Sequence, residues 1–372
     1  MVIGCPLSKF HATVFNDRHG FLAKLSRLLK CVYAGHQVID VVWRPFRSDP
    51  LRSSGVLRQL PPDRITRAEP FEVTGVDFAG PLFYKAPDVN SKKCYIALFT
   101  CAVTRAVHLE IVDDLTTQRF LMAFRRFVSR RGLCKVIYSD NALTFKRASK
   151  DLNSLWKSVR HPDVLDYLSQ SRIQWKFIVE RAAWWGGFWE RLVRTVKDVL
   201  RRSLAKALLR HDELVTVLTE VEAIINSRPL TSVCDSAEDL SVLTPSHFLI
   251  GRRLTALPAG TATPTTSDSN TLIKSYRYRE QLLNSFWNRW RKDYLLQLRS
   301  NHIIKSGVGA TLKPGDLVLL VQERLPRHLW QVCRVNSVIP GADRRVRVCI
   351  VRLPSSALLR RPVQLLCPLE IV

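Results

Sequence analysis

Residues 71–114 read FEVTGVDFAGPLFYKAPDVNSKKCYIALFTCAVTRAVHLEIVDD, and their pattern sets the fold class. Three apolar runs, FEVTGVDFAG (71–80), KKCYIALFTCAV (92–103) and AVHLEIVDD (106–114), are strand-like in length and separated by short turns, which predicts an antiparallel meander. A helix is expected over 116–131, where Phe120, Phe124, Phe127 and Val128 recur at spacings of three and four behind a capping Thr116 or Thr117. A short buried strand CKVIYSD (134–140), a helix over 144–159, a strand QWKFIVE (174–180), a helix opening at Glu190 and a helix over 212–228 halted by Pro229 complete the series. Strands followed by alternating helices and strands make a mixed α/β domain.

Outward from this centre the chain changes character. Residues 46–70 are rich in Pro, Arg and Ser and read as a linker, and residues 255–272 are small, polar and proline-containing, as in an exposed loop. A long helix is expected from Tyr276 to Arg299, with Leu283, Phe286, Trp287, Trp290, Tyr294 and Leu298 on one stripe that reads as packing. From Leu312 onward, short strand-like runs predict a small β-barrel, itself rich in arginine.

The 57 Lys+Arg against 32 Asp+Glu give a net charge of +25, which calls for a polyanionic partner. Nucleic acid fits better than a membrane surface, because the cations are spread through folded-looking segments. No apolar run reaches the roughly 18 residues of a membrane span, and residues 1–20 lack a secretory pattern, so an intracellular setting is expected. The nine cysteines are scattered and never spaced as C-x-x-C, which reads as reduced, mostly buried thiols.

Three carboxylates stand where chemistry would expose them. Asp77 interrupts an apolar strand, Asp140 ends another, and Glu190 opens a helix behind two glycines. A carboxylate in an apolar strand is costly unless paired, hydrogen-bonded or metal-bound, and hard oxygen ligands suit Mg²⁺ or Mn²⁺. Strand-end and helix-start acids with no metal fit the same spacing. On a helix Glu190, Arg194, Lys197 and Arg201 share a face, the layout of a DNA track and equally of a solvated basic face. Asn141, directly after Asp140, reads as a substrate-orienting residue or as a turn residue.

The segments VTGVDFAGP (73–81), YSDNALTF (138–145) and WWGGFWERLVRTVK (184–197), in this order, resemble the catalytic core of retroviral and retrotransposon integrases. Their flanks LPPDRITRAEPFEVTGVDFAGPL, INSRPLT, LTPSHFLIGRRL, FWNRWRKDYLLQLR and LKPGDLVLL look like the integrase region of BEL/Pao-type LTR retrotransposons. The resemblance implies an RNase H-like mixed five-stranded sheet over 71–230, a connector over 231–273, a long helix over 274–300 and a basic SH3-like barrel over 301–372. It further implies that Asp77, Asp140 and Glu190 form a metal-binding triad, suited to two Mg²⁺ or Mn²⁺ ions, beside which the basic helix face offers DNA contacts at Arg194, Lys197 and Arg201 and the position after Asp140 a further one at Asn141. Strand transfer of element ends into target double-stranded DNA follows, in a homo-oligomer located in the nucleus. A nuclease of the same fold and a catalytically inactive nucleic-acid-binding remnant are the alternatives.

Family members carry an N-terminal HHCC zinc module. Residues 1–45 offer only Cys5, His11, His19, Cys31 and His36, without its spacing, so zinc is not expected and the segment reads as degraded or truncated.

Overall fold

The computed structural model describes residues 68–87, 89, 91–158, 173–177, 190–205, 207–233, 240–255, 269–306, 312–322, 325–341 and 346–370. All of them fall in one unit, Pro50–Val372, so the expectations for residues 1–45 and for zinc lie outside the described residues.

The expected meander forms from β1 (Val73–Lys85), β2 (Lys92–Cys101) and β3 (Val107–Val112), paired antiparallel. Two parallel strands, β4 (Val136–Ser139) and β5 (Gln174–Phe177), extend the sheet to the order β3-β2-β1-β4-β5. A two-residue strand, β6 (Leu209–Arg210), adds parallel pairing to the far end of β1. The central strand is buried continuously from Val73 to Val76 and alternates only near its end, as expected of a strand covered on both faces. Gly80 lies between the two parts at φ +125°, where a Cβ would meet the Cys94 carbonyl at 3.3 Å, and the β1–β2 register shifts between Ala79 and Leu82.

Period-two alternation sorts the sheet residues between two cores. Ala97, Phe99 and Cys101 point into a phenylalanine-rich core with α1 (Thr117–Arg131) and α2 (Leu143–Ser158). Phe99 stacks on Phe127 of α1 at 4.2 Å between ring centroids, and Phe78 on Phe145 of α2 at 4.8 Å. Cys94, Ile96 and Leu98 point the other way, into a core with α3 (Glu190–Leu204), α4 (His211–Asn226) and α6 (Ser269–Ser306). All six stripe residues of α6 are buried there. Between α4 and α6 the chain pairs β7 (Thr231–Ser232) with β8 (Val242–Leu243) and makes the short helix α5 (Pro245–Ile250).

The sheet edge at β3 is covered by side chains of α4. Asn226 Oδ1 accepts from the Val107 N–H and its Nδ2 donates to the Val107 carbonyl, both at 2.8 Å, and Glu222 accepts from the Leu109 N–H at 2.9 Å. Beside them His108 lies buried between Glu110 (3.0 Å) and Glu222 (3.3 Å), and Arg126, Arg130 and Arg131 of α1 close the cluster. Burial alone would lower the His108 pKa, but hydrogen bonds to both carboxylates outweigh it and raise the value.

The C-terminal strands β9 (Leu317–Leu320), β10 (Val332–Pro340), β11 (Val346–Arg352), β12 (Leu358–Pro362) and β13 (Leu366–Pro368) form a separate antiparallel sheet in the order β12-β11-β10-β9-β13. A 3₁₀ turn, Val363–Leu365, links its two end strands. Leu319, Trp330, Val332, Cys367 and Leu369 belong to the same apolar cluster as α3, α4 and α6, so this sheet is packed onto the core. A buried ionic clamp reinforces the contact. Glu370 accepts from Tyr294 Oη at 2.9 Å, lies 3.3 Å from Arg228 and also pairs with Arg105. Burial alone would raise the Glu370 carboxyl, but Arg105 and Arg228, with hydrogen bonds from Arg105 and Tyr294, hold it down at about 2. No helix among the described residues is long and apolar enough to cross a membrane.

Candidate active site at the β1–β4 strand ends

Parallel pairing of β1 with β4 places two of the three sequence-selected acids together. The ladder runs from Val73↔Val136 to Val76↔Ser139, so the next residues on the two strands are Asp77 and Asp140. Asp140 lies just past the end of β4, exposed, and its Oδ1 accepts from the Ala142 N–H at 3.1 Å, a turn that leads into α2. Asn141 follows it, half-buried. Trp175 of β5 donates its indole N–H to Ser139 Oγ at 2.8 Å and thereby ties the neighbouring strand to the residue before Asp140.

Asp77 occupies the middle of β1, opposite Leu98. Its Oδ1 accepts from the Phe78 N–H at 2.7 Å, and its Oδ2 receives Lys197 Nζ of α3 at 2.6 Å. Both side chains of this pair remain about a third exposed, 30% for Asp77 and 31% for Lys197, so the carboxylate is reachable from solvent. The apolar strand therefore tolerates the charge because it is hydrogen-bonded and paired.

Helix α3 is held against the sheet by Leu192, Val193, Val196, Val199 and Leu200, all buried. This fixes which of its residues face outward. Arg194 and Arg201 are exposed, and Arg201 lies 3.6 Å from Asp198 on its own helix. Lys197, between them on the same ridge, turns to Asp77 instead of to solvent. The ridge read from spacing is therefore divided. Its outer cations are open to a polyanion, and its central one is engaged.

Glu190 is the first residue of α3, and its side chain lies outside the described residues. Among the described residues, no group of three or more His, Cys, Asp or Glu side chains is placed to hold a metal ion. Two features escaped the sequence reading. The Lys197–Asp77 pair joins residues 120 positions apart and leaves no local signature. The Trp175–Ser139 bond was foreshadowed only by a serine before Asp140 and a tryptophan in the next strand.

Comparison with family models matches residues 274–369, which include most of α6 and all of the C-terminal sheet, to a family of unknown function (DUF5641). No curated protein matches the chain. Among solved structures, the chain is similar to the simian T-cell lymphotropic virus intasome in complex with PP2A regulatory subunit B56 gamma. Identity there is 13% over 86% of this chain and 86% of that one, with a TM-score of 0.34. It is similar to the HTLV-2 integrase catalytic core domain in complex with magnesium at 15% identity over 49% of this chain and 97% of that one, TM-score 0.30. The catalytic core domain of BIV integrase is a further similar structure, at 13% identity over 49% and 95% of the two chains, with a TM-score of 0.33. Two of these three similar structures are integrase catalytic core domains, and the third is an intasome.

Proposed function

We propose that the chain is the integrase of a BEL/Pao-type LTR retrotransposon, with an RNase H-like core over residues 71–230 and an SH3-like C-terminal barrel. The reaction is metal-dependent strand transfer of element DNA ends into target double-stranded DNA. The observation that carries this reading is the parallel β1–β4 register, whose last pair, Val76↔Ser139, immediately precedes Asp77 and Asp140, together with the contact of α3 on Asp77 through Lys197.

The donor set fits a divalent ion. Asp77 and Asp140 offer hard carboxylate oxygens, Asp77 already holds a cation at 2.6 Å, and the third acid of the proposed triad is Glu190, assigned from the resemblance and standing at the start of α3. When bound, Mg²⁺ or Mn²⁺ acidifies the attacking hydroxyl and stabilises charge on the phosphate. The remaining work falls to the chain. The Phe78 N–H orients the Asp77 carboxylate from behind. Arg194, Lys197 and Arg201 hold phosphates along one strand, and Asn141 orients the group beside Asp140.

In the transfer a 3′-hydroxyl oxygen of the element forms a new bond to a target phosphorus. The bond from that phosphorus to the target's 3′ oxygen breaks, the hydroxyl proton passes to solvent, and the departing 3′ oxygen takes up a proton from solvent to become a hydroxyl. Two element ends joined in concert call for a homo-oligomer, and the site of action is the nucleus.

A strand-transfer assay with labelled element ends and Mn²⁺ or Mg²⁺ tests the reading. Joined product is expected from the parent chain, and Asp77→Asn should abolish joining while DNA binding persists. Cleavage without joining would make the chain a nuclease, and metal-independent binding alone would make it an inactive remnant.

A further inference from the structure

We propose that Lys197 is the resident counter-ion of Asp77 and holds the position a divalent cation takes, so that metal loading expels its ammonium towards nucleic-acid phosphate. This inference rests on the metal-binding reading of Asp77. Three observations carry it. The Asp77 Oδ1 is engaged by the Phe78 N–H, which leaves Oδ2 turned to α3, and Lys197 Nζ occupies that oxygen at 2.6 Å. An ammonium and a divalent cation at contact distance on one oxygen repel, so the two occupants exclude each other. The helix itself is pinned by Val193, Val196 and Leu200 and cannot retreat, so exchange falls to the lysine's flexible four-carbon stem.

The residue type and its surroundings suit the exchange. Lysine is a compact point charge that leaves readily, whereas an arginine in the same place would grip the carboxylate with two parallel hydrogen bonds. The pair is about a third exposed, so a cation and a polyanion both reach it from solvent. Exposed Arg194 and Arg201 lie one turn to either side on the ridge, and a phosphate held there receives the released ammonium. By linkage, whatever draws Lys197 away favours the metal, and the metal in turn favours polyanion binding.

Titration of the full chain with Mn²⁺, followed by the electron paramagnetic resonance of free ion and without DNA, tests the proposal. Lys197→Met should bind Mn²⁺ about fivefold more tightly than the parent, as expected for loss of one partly exposed ion pair. Lys197→Arg should bind it more weakly than the parent, and these opposite directions are not what a merely structural lysine would give. Arg202→Met, which removes a charge from the same helix without touching Asp77, should shift the affinity by less than about twofold. Unchanged or weaker binding by Lys197→Met, with Asp77→Asn still abolishing binding, would overturn the proposal and leave the metal site standing. Equal Mn²⁺ binding by Asp77→Asn and the parent, or none by any form, would remove the metal site and the proposal with it.

Discussion

Side chains on one ridge of α3 have different fates because the sheet decides which carboxylate each can reach. Lys197 is drawn to Asp77, whereas Arg194 is left to solvent, so Arg194 is the cleaner probe of a phosphate contact. Arg194→Ala should weaken DNA binding uniformly across sequences and reduce the salt slope of affinity by about 1. A loss confined to one sequence, or an unchanged slope in a salt titration, would count against that role. Asp77 stands out as a candidate in the sequence because it interrupts an apolar strand, and Asp140 and Glu190 because they mark a strand end and a helix start. The Lys197 pairing was not legible, because the i+7 spacing from Glu190 fixes a face of the helix and says nothing of what a distant strand presents to it.

Elements were legible where periodicity was strong and blurred where another residue interfered. The first strand reads as ending at Gly80 because Pro81 lacks an N–H for the ladder, yet β1 continues to Lys85 across the register shift beside it. The long helix extends beyond the expected Tyr276–Arg299 to Ser269–Ser306, since the aromatic and leucine stripe that marks its centre stops short of its ends. The two-residue strands β6, β7 and β8 are too short for any pattern to announce them.

In the centre of the long helix, Trp290 is fully buried between Phe286 and Tyr294, with ring centroids at 6.4 and 5.7 Å. Trp290→Ala should cost about 3–5 kcal/mol in urea unfolding, through lost transfer energy and the cavity left behind. A cost below about 1 kcal/mol, the size of an ordinary surface change, would place this stripe outside the core.

At the scale of the whole molecule, the long helix and C-terminal sheet share one apolar cluster with the α/β core, and Glu370 secures them by charge. Arg228 is fully buried, so Glu370→Gln leaves its guanidinium without a counter-charge and should destabilise the protein by about 3–5 kcal/mol. The pH dependence has a definite sign. With a folded value of about 2 against an ordinary 4.5, the carboxylate's contribution is complete above 4.5 and is lost as pH falls towards 2. Denaturant unfolding across that window should show the parent losing its advantage over Glu370→Gln. Parallel losses in the two proteins would assign acid lability elsewhere.

The joining of sheet and core was hidden from sequence reading, because a loop-like connector and a change of strand pattern look the same whether the parts dock or swing free. It also governs how the protein comes into being. During translation the meander can pair as soon as it emerges, but one face of β2, with Cys94, Ile96 and Leu98, is covered by α3, α4 and α6, and that cluster is completed by residues as late as Leu369. A nascent chain must therefore carry that apolar sheet face uncovered until α3 and α4 follow, and its cluster incomplete until the C-terminal sheet is made, the condition under which holding chaperones engage and unassisted chains aggregate.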